Sequence, residues 1–176
     1  GNFGKQAAAG ETAENLAFRP VSTHLLPHYK DGLFELAFPE IVNYVDATFN
    51  TIPDKAHRAI AGLSMGGMHT LMITANYPDM FNYIGLYSAG VDFSHLNMEE
   101  APAYANLDAK LTKLAQGNPK LYWIACGNED WLLPANKRLM ERMDKDGLKY
   151  TFHESPRGHL WSNWRQYSLL FIPQLF

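Results

Sequence analysis

The chain has a single cysteine, Cys126, in 176 residues, so no internal disulfide can staple the fold. It lies in the apolar run LYWIAC, the setting of a buried structural thiol rather than a reactive one. No run of about 18 apolar residues is present, which leaves no helical membrane span to propose, and no signal peptide is visible. The chain opens on Gly1 rather than methionine, so that last absence carries no weight. Excess charge is also lacking. The formal net charge is -3, and no dense Lys/Arg run offers a stripe that could track phosphates, so nothing points to a nucleic-acid partner. Internal repeats and a second domain are absent as well. What remains, 47% hydrophobic and 19% charged residues, is the composition of one globular domain with a sizeable core.

Residues 1-32 are rich in Gly, Ala, Pro and polar residues without sustained apolar periodicity, and are read as a loop-rich segment. From Pro39 to Phe49, Ile41, Val42, Val45 and Phe49 fall at helical spacing, with Pro39 in a first-turn position. This predicts a helix packed on a sheet. Four apolar runs follow, at 58-63 (RAIAGL), 83-88 (YIGLYS), 121-126 (LYWIAC) and 149-154 (KYTFHE), each suited to a buried strand. Helical patterns separate them at 65-76, 106-116 and 134-146, the last ending at Gly147. Strand and helix in alternation predict an α/β fold, a mostly parallel sheet with helices on both faces.

At the end of the first run, Gly62-Leu63-Ser64-Met65-Gly66 forms GxSxG at a strand-to-helix junction, the context of a nucleophile elbow. Such an elbow holds its serine on a sharp, strained turn, and glycines flank it because side chains there would strike the neighbouring strand and helix. Gly67 adds one more small residue for that packing.

Serine is a weak nucleophile until a base takes its proton, and in this arrangement the partners follow in the order serine, acid, histidine. His24, His28 and His57 precede Ser64, and His69 lies on the elbow helix pointing away, leaving His95, His153 and His159. His153 sits inside a strand pattern. His159 follows SPRG in a loop beyond a strand's carboxyl end, where catalytic groups of open α/β sheets gather, and is the preferred base. For the acid, Glu129 and Asp130 directly follow the third run and Asp92 follows the second. Asp130 is preferred, with the other two as rivals, although an acid there could also serve only to cap the next helix.

The segments GLSMGGMHT, CGNEDWLLPANKRL and GHLWSNWRQYSLLF resemble carbohydrate esterase family 1, the esterases that include feruloyl esterases and acetyl xylan esterases, within the α/β-hydrolase superfamily. Esterase D and the mycolyltransferases are more distant relatives. The resemblance spans most of residues 33-176 and favours Asp130, the aspartate of GNED, as the acid. It implies a cofactor-free and metal-free carboxylic ester hydrolase. Ser64 would attack, His159 would act as base, Asp130 would orient it, and the Met65 backbone N–H would serve the oxyanion hole. No segment matches the earlier loop that supplies a second oxyanion donor. Trp131 and Trp161 beside the acid and base would suit an aromatic acyl group or sugar ring as substrate-binding residues. Trp164, on the same helical face as Trp161, is equally placed to pack the last helix on the sheet.

The implied substrate is a feruloyl or acetyl ester of plant cell-wall polysaccharide, and a polymer substrate implies a secreted or periplasmic enzyme. A thioesterase or acyltransferase of the esterase D or mycolyltransferase kind would share the triad. A non-catalytic carbohydrate-binding module on the same scaffold is the reading from another class. An α/β-hydrolase sheet has about eight strands with the nucleophile's strand near the middle, yet RAIAGL is the first of only four runs. The expectation is therefore a partial domain whose N-terminal strands are missing, completed by a preceding half or by another chain.

Overall fold

A computed structural model describes residues 32-92 and 101-176. The loop-rich reading of 1-32 falls outside these residues except for Gly32, as do His24, His28 and His95.

Four strands, β1 (Ala59–Leu63), β2 (Tyr83–Tyr87), β3 (Leu121–Gly127) and β4 (Thr151–Ser155), form one sheet in the order β1-β2-β3-β4. Every neighbouring pair is parallel, in registers that set Leu63 beside Tyr87, Tyr87 beside Ala125 and Gly127 beside Ser155. Each parallel step needs a crossover. Helices α2 (Met65–Asn76), α3 (Leu107–Gln116) and α4 (Leu133–Asp146) supply the three crossovers, and α5 (Trp161–Phe171) follows β4. The expected α/β architecture is thus present, with strand bounds shifted by one or two residues. The α4 helix ends as read, on Gly147 in a left-handed conformation.

Alternation along the strands builds two cores. Ile84, Leu86, Tyr122 and Ile124 face one way and pack with Leu71, Leu111, Leu139 and Met143 of the crossover helices. Tyr83, Tyr87, Trp123 and Ala125 face the other way, against Trp164, Tyr167 and Phe171 of α5. His153 lies in β4 with its ring stacked on Trp123, centroids 5.9 Å apart, a packed strand residue. Cys126 is fully buried, and burial pushes its thiol up to about 12.

The first helix corrects the sequence reading. Helix α1 runs Leu33–Thr48 with Pro39 in its interior, so Pro39 is not a first-turn residue and costs the helix one hydrogen bond. Burial offsets this, because Leu36 and Phe38, on the amino side of the proline, pack on the core together with Val42. The helix rests on α2 rather than on the sheet. Of the apolar stripe read at 41-49, Ile41 (44% exposed), Val45 (37%) and Phe49 (61%) face outward. Helical spacing revealed the helix but not which side of it would be covered.

A buried polar contact ties α1 to α2. His69 Nδ1 lies 2.7 Å from Glu35 Oε1, which also accepts from the Tyr104 hydroxyl at 3.1 Å, and the Glu35 side chain is fully buried. Glu35 Oε2 and His69 Nε2 have no partner among the described residues. A half-satisfied network costs more than an apolar one of the same shape. Replacing Glu35 alone by Leu is therefore expected to destabilise the fold by about 1–3 kcal/mol, through the donor stranded on His69. The Glu35→Leu/His69→Leu pair should cost less than the single change, as read by urea unfolding.

Candidate active site

The carboxyl ends of the four strands meet along one edge of the sheet. Backbone hydrogen bonds carry the ladder past the strands there: Ser64 N–H donates to Tyr87 O (2.9 Å), Ser88 N–H to Ala125 O (2.7 Å) and Asn128 N–H to Ser155 O (2.8 Å). Loops from β1, β2, β3 and β4 are thereby held side by side.

Ser64 stands between β1 and α2 at φ 52°, ψ -118°, a conformation that costs a non-glycine residue on the order of 1–3 kcal/mol. The glycines explain how the turn is made. A Cβ on Gly62 would lie 2.1 Å from the Gly66 carbonyl oxygen, and one on Gly67 would lie 2.6 Å from Ala89 Cβ. The motif's second glycine behaves otherwise, since a Cβ on Gly66 would meet nothing within 4 Å. The sequence reading that both flanking glycines avoid collisions therefore holds for Gly62 but not for Gly66, whose carbonyl is what Gly62 must clear. Met65 opens α2, so its N–H has no acceptor within the helix.

His159 bridges the other two residues. Its Nε2 is 3.0 Å from Ser64 Oγ, and its Nδ1 is 3.0 and 3.2 Å from Asp130 Oδ2 and Oδ1. An ionised carboxylate only accepts, so Nδ1 carries the hydrogen and Nε2 is left to accept from the serine hydroxyl. Of the three acids considered, Asp130 is the one hydrogen-bonded to His159, while Glu129 points to solvent. Asp130 Oδ1 also accepts from Leu132 N–H at 2.9 Å, so the same side chain organises the turn into α4. Burial raises its carboxyl pKa, but hydrogen bonds from His159, Leu132 and Ser88 outweigh this and hold it below the usual carboxylate value.

The two loops carrying Asp130 and His159 are laced together. Glu129 N–H donates to Arg157 O at 3.0 Å, and a Cβ on Gly127 would come within 2.1 Å of that same oxygen. Asn163 Nδ2, from α5, donates to Pro156 O and Gly158 O, both at 3.0 Å. Trp131 is 70% exposed with its ring centroid 5.3 Å from that of His159. Trp161 is 46% exposed and meets Trp164 edge-on at 5.1 Å. Trp164 is buried, as its packing reading required, yet its ring also meets His159 edge-on at 4.8 Å. Sequence reasoning missed Ser88 and Asn163. Ser88 carried a usable signal, its place as the last residue of the run at 83-88, at the carboxyl edge. Asn163 carried none, since its partners are backbone carbonyls.

The chain matches the Esterase family (described as Putative esterase) over residues 27–169. It is 53% identical over 51 residues, 29% of this chain and 7% of the other, to an endo-1,4-beta-xylanase/feruloyl esterase of Xylanibacter ruminicola. It is 27% identical over 157 residues to an acetyl esterase of Caldicellulosiruptor saccharolyticus, covering 73% of this chain and 58% of that one. A solved ferulic acid esterase superposes with a TM-score of 0.63 at 25% identity, over 80% of this chain and 59% of its own. The chain thus spans less than two thirds of each of these proteins, and it shares their α/β-hydrolase type of fold.

The glycine geometry predicts an asymmetric response to alanine. Gly62→Ala and Gly67→Ala should each destabilise the fold by about 1–3 kcal/mol through overpacking, while Gly66→Ala should stay within about 0.5 kcal/mol of the parent. Thermal unfolding of the three variants checks this, and equal losses at all three positions would contradict it.

Proposed function

This chain belongs to the Esterase family, and we propose that it is a serine carboxylic ester hydrolase working through an acyl-enzyme. The observation that carries this reading is the unbroken hydrogen-bonded line from Ser64 Oγ through His159 to Asp130, with the serine on a strained strand-to-helix turn. Ser64 attacks the ester carbonyl as His159 Nε2 takes its proton, and Asp130 holds the imidazole and stabilises its cation. The Met65 N–H points its dipole at the developing oxyanion. A second donor is assigned to the loop after an earlier strand, which no segment of this chain matches. Collapse of the tetrahedral intermediate, with His159 returning the proton, expels the alcohol. Water then attacks the acyl-Ser64 ester by the same steps and releases the acid.

For the substrate we propose a feruloyl or acetyl ester on a plant cell-wall polysaccharide. The names of the xylanase/feruloyl esterase and acetyl esterase relatives support this. So do the exposed rings of Trp131 and Trp161, one of them against the base, because aromatic faces suit both a hydroxycinnamoyl group and a sugar ring. A polymeric substrate goes with a secreted or periplasmic enzyme.

The same reading gives β1 an interior place in the sheet of the working enzyme. Among the described residues β1 pairs only with β2. Its free side forms part of an apolar groove of about 410 Å³ with Phe171, Ile172 and Leu175. A bare edge with apolar flanks is a pairing surface. Hydrogen exchange reads this directly. Alternate amides of β1 should be protected in the full-length enzyme and exchange fast in residues 1-176 expressed alone, and fast exchange in both would place β1 at a true edge.

Ser64→Ala and His159→Ala are each expected to lower turnover by about 10⁶, and Asp130→Asn by about 10⁴ through the wrong imidazole tautomer. Ferulate or acetate release from arabinoxylan is the measurement. Turnover of S-formylglutathione with no release from arabinoxylan would replace the substrate assignment with a thioesterase. Full activity in Ser64→Ala would remove the acyl-enzyme mechanism.

A further inference from the structure

Asn136 is fully buried on the first turn of α4, and its Oδ1 has no partner among the described residues. Asparagine is a weaker helix former than leucine or alanine, and a buried acceptor without a donor is costly. The donors of its Nδ2 group account for its place. They go to Leu132 O and to Ala89 O, both at 2.9 Å. Two carbonyl acceptors can face only the nitrogen of the amide.

Each of these carbonyls belongs to a planar trans peptide unit whose N–H points the opposite way. The Ala89–Gly90 peptide gives its N–H to Ser64 O at 2.7 Å, and the Leu132–Leu133 peptide gives its N–H to Asp130 O at 2.9 Å. Leu132 N–H also holds Asp130 Oδ1 at 2.9 Å. One side chain thus grips, through two peptide planes, the main-chain carbonyls of the nucleophile and of the acid. Other bonds to the same carbonyls do not replace this link. Ala89 O also accepts from Val91 N–H at 2.8 Å, and Leu132 O from Asn136 N–H at 3.0 Å, but each of those stays within its own loop or helix. Ala89 is as fully buried as Asn136, so water does not stand in for the amide.

We infer that Asn136 is a positioning residue that locks the nucleophile turn to the acid turn. By fixing the tilt of the two peptides it sets where Ser64 and Asp130 stand relative to His159, which is hydrogen-bonded to both. Linked hydrogen bonds in a buried setting polarise one another, so the bonds onto Ser64 O and Asp130 O strengthen with the amide in place. The kinetic consequence rests on the proposed ester hydrolysis, whereas the clamp itself depends on no substrate.

The test uses Asn136→Leu in the full-length protein, a change that keeps the volume and removes both donors together with the orphaned acceptor. Because the orphan goes too, thermal unfolding should stay near the parent. On p-nitrophenyl acetate kcat should fall roughly 10-fold with KM within about twofold, as expected when a group that acts in the transition state is displaced. Amide hydrogen exchange gives a readout that needs no ester. The Gly90 and Leu133 amides should exchange about 10-fold faster than in the parent, while Ile84 and Ile124 in the strands change only with global stability. Parent kcat, or Gly90 and Leu133 amides no faster than those of the strands, would overturn the inference. Should Asn136→Leu not fold, Asn136→Ala is compared with Leu139→Ala, a core change on the same helix. A lower kcat and faster Gly90 and Leu133 exchange in Asn136→Ala alone support the clamp, and equal behaviour of the two variants overturns it. If Ser64→Ala remained active, the ester mechanism would fail while the exchange result still judged Asn136.

Discussion

The close crossing of β1 and α2 at Ser64 is the constraint on which the site depends. The strand must turn into the helix within one residue, and Gly62 lets its backbone pass the Gly66 carbonyl where a Cβ would lie at 2.1 Å. Gly67 then lets α2 settle on Ala89, and Gly90 N–H closes the turn by donating to Ser64 O at 2.7 Å. The strain stored at Ser64 is held by packing on both sides. A looser turn would let the serine relax into an ordinary conformation and move its hydroxyl away from His159.

The partners of Ser64 reach it because a parallel sheet brings every carboxyl strand end to one edge. Asp130 and His159 are 29 positions apart in the chain, and Ser64 is 95 from His159. Holding them within hydrogen-bond reach takes a scaffold of polar links beyond the three residues. Asn163 pins the histidine loop, the Arg157 carbonyl accepts from the acid loop, and the Tyr167 hydroxyl lies 2.6 Å from Ser155 Oγ beneath them. Helix α5 thus serves as both the cover of one sheet face and the rigid back wall of the site.

The surface away from this edge has a different character. The outer side of α1 and the flank of β1 leave Ile41, Phe49, Ile172 and Phe176 exposed, although the core beneath is closely packed.

By itself the sequence determined the alternation of strand and helix, the parallel sheet and the elbow at Ser64, because each is written locally: apolar runs of strand length, helical spacing, and glycines around one serine. It also narrowed the base and the acid to a few residues by order and by strand ends. Only the tertiary structure decided the rest. It extended α1 back through Pro39, since burial of Leu36 and Phe38 outweighs one lost hydrogen bond, and it turned the apolar stripe of Ile41 and Val45 outward. It freed Gly66 from the clash that binds Gly62. It also joined Trp164 to Ser88 and set the Trp164 ring against His159, which no pattern in the chain announces, because a contact between residues 76 positions apart exists only once the sheet has placed their two elements side by side.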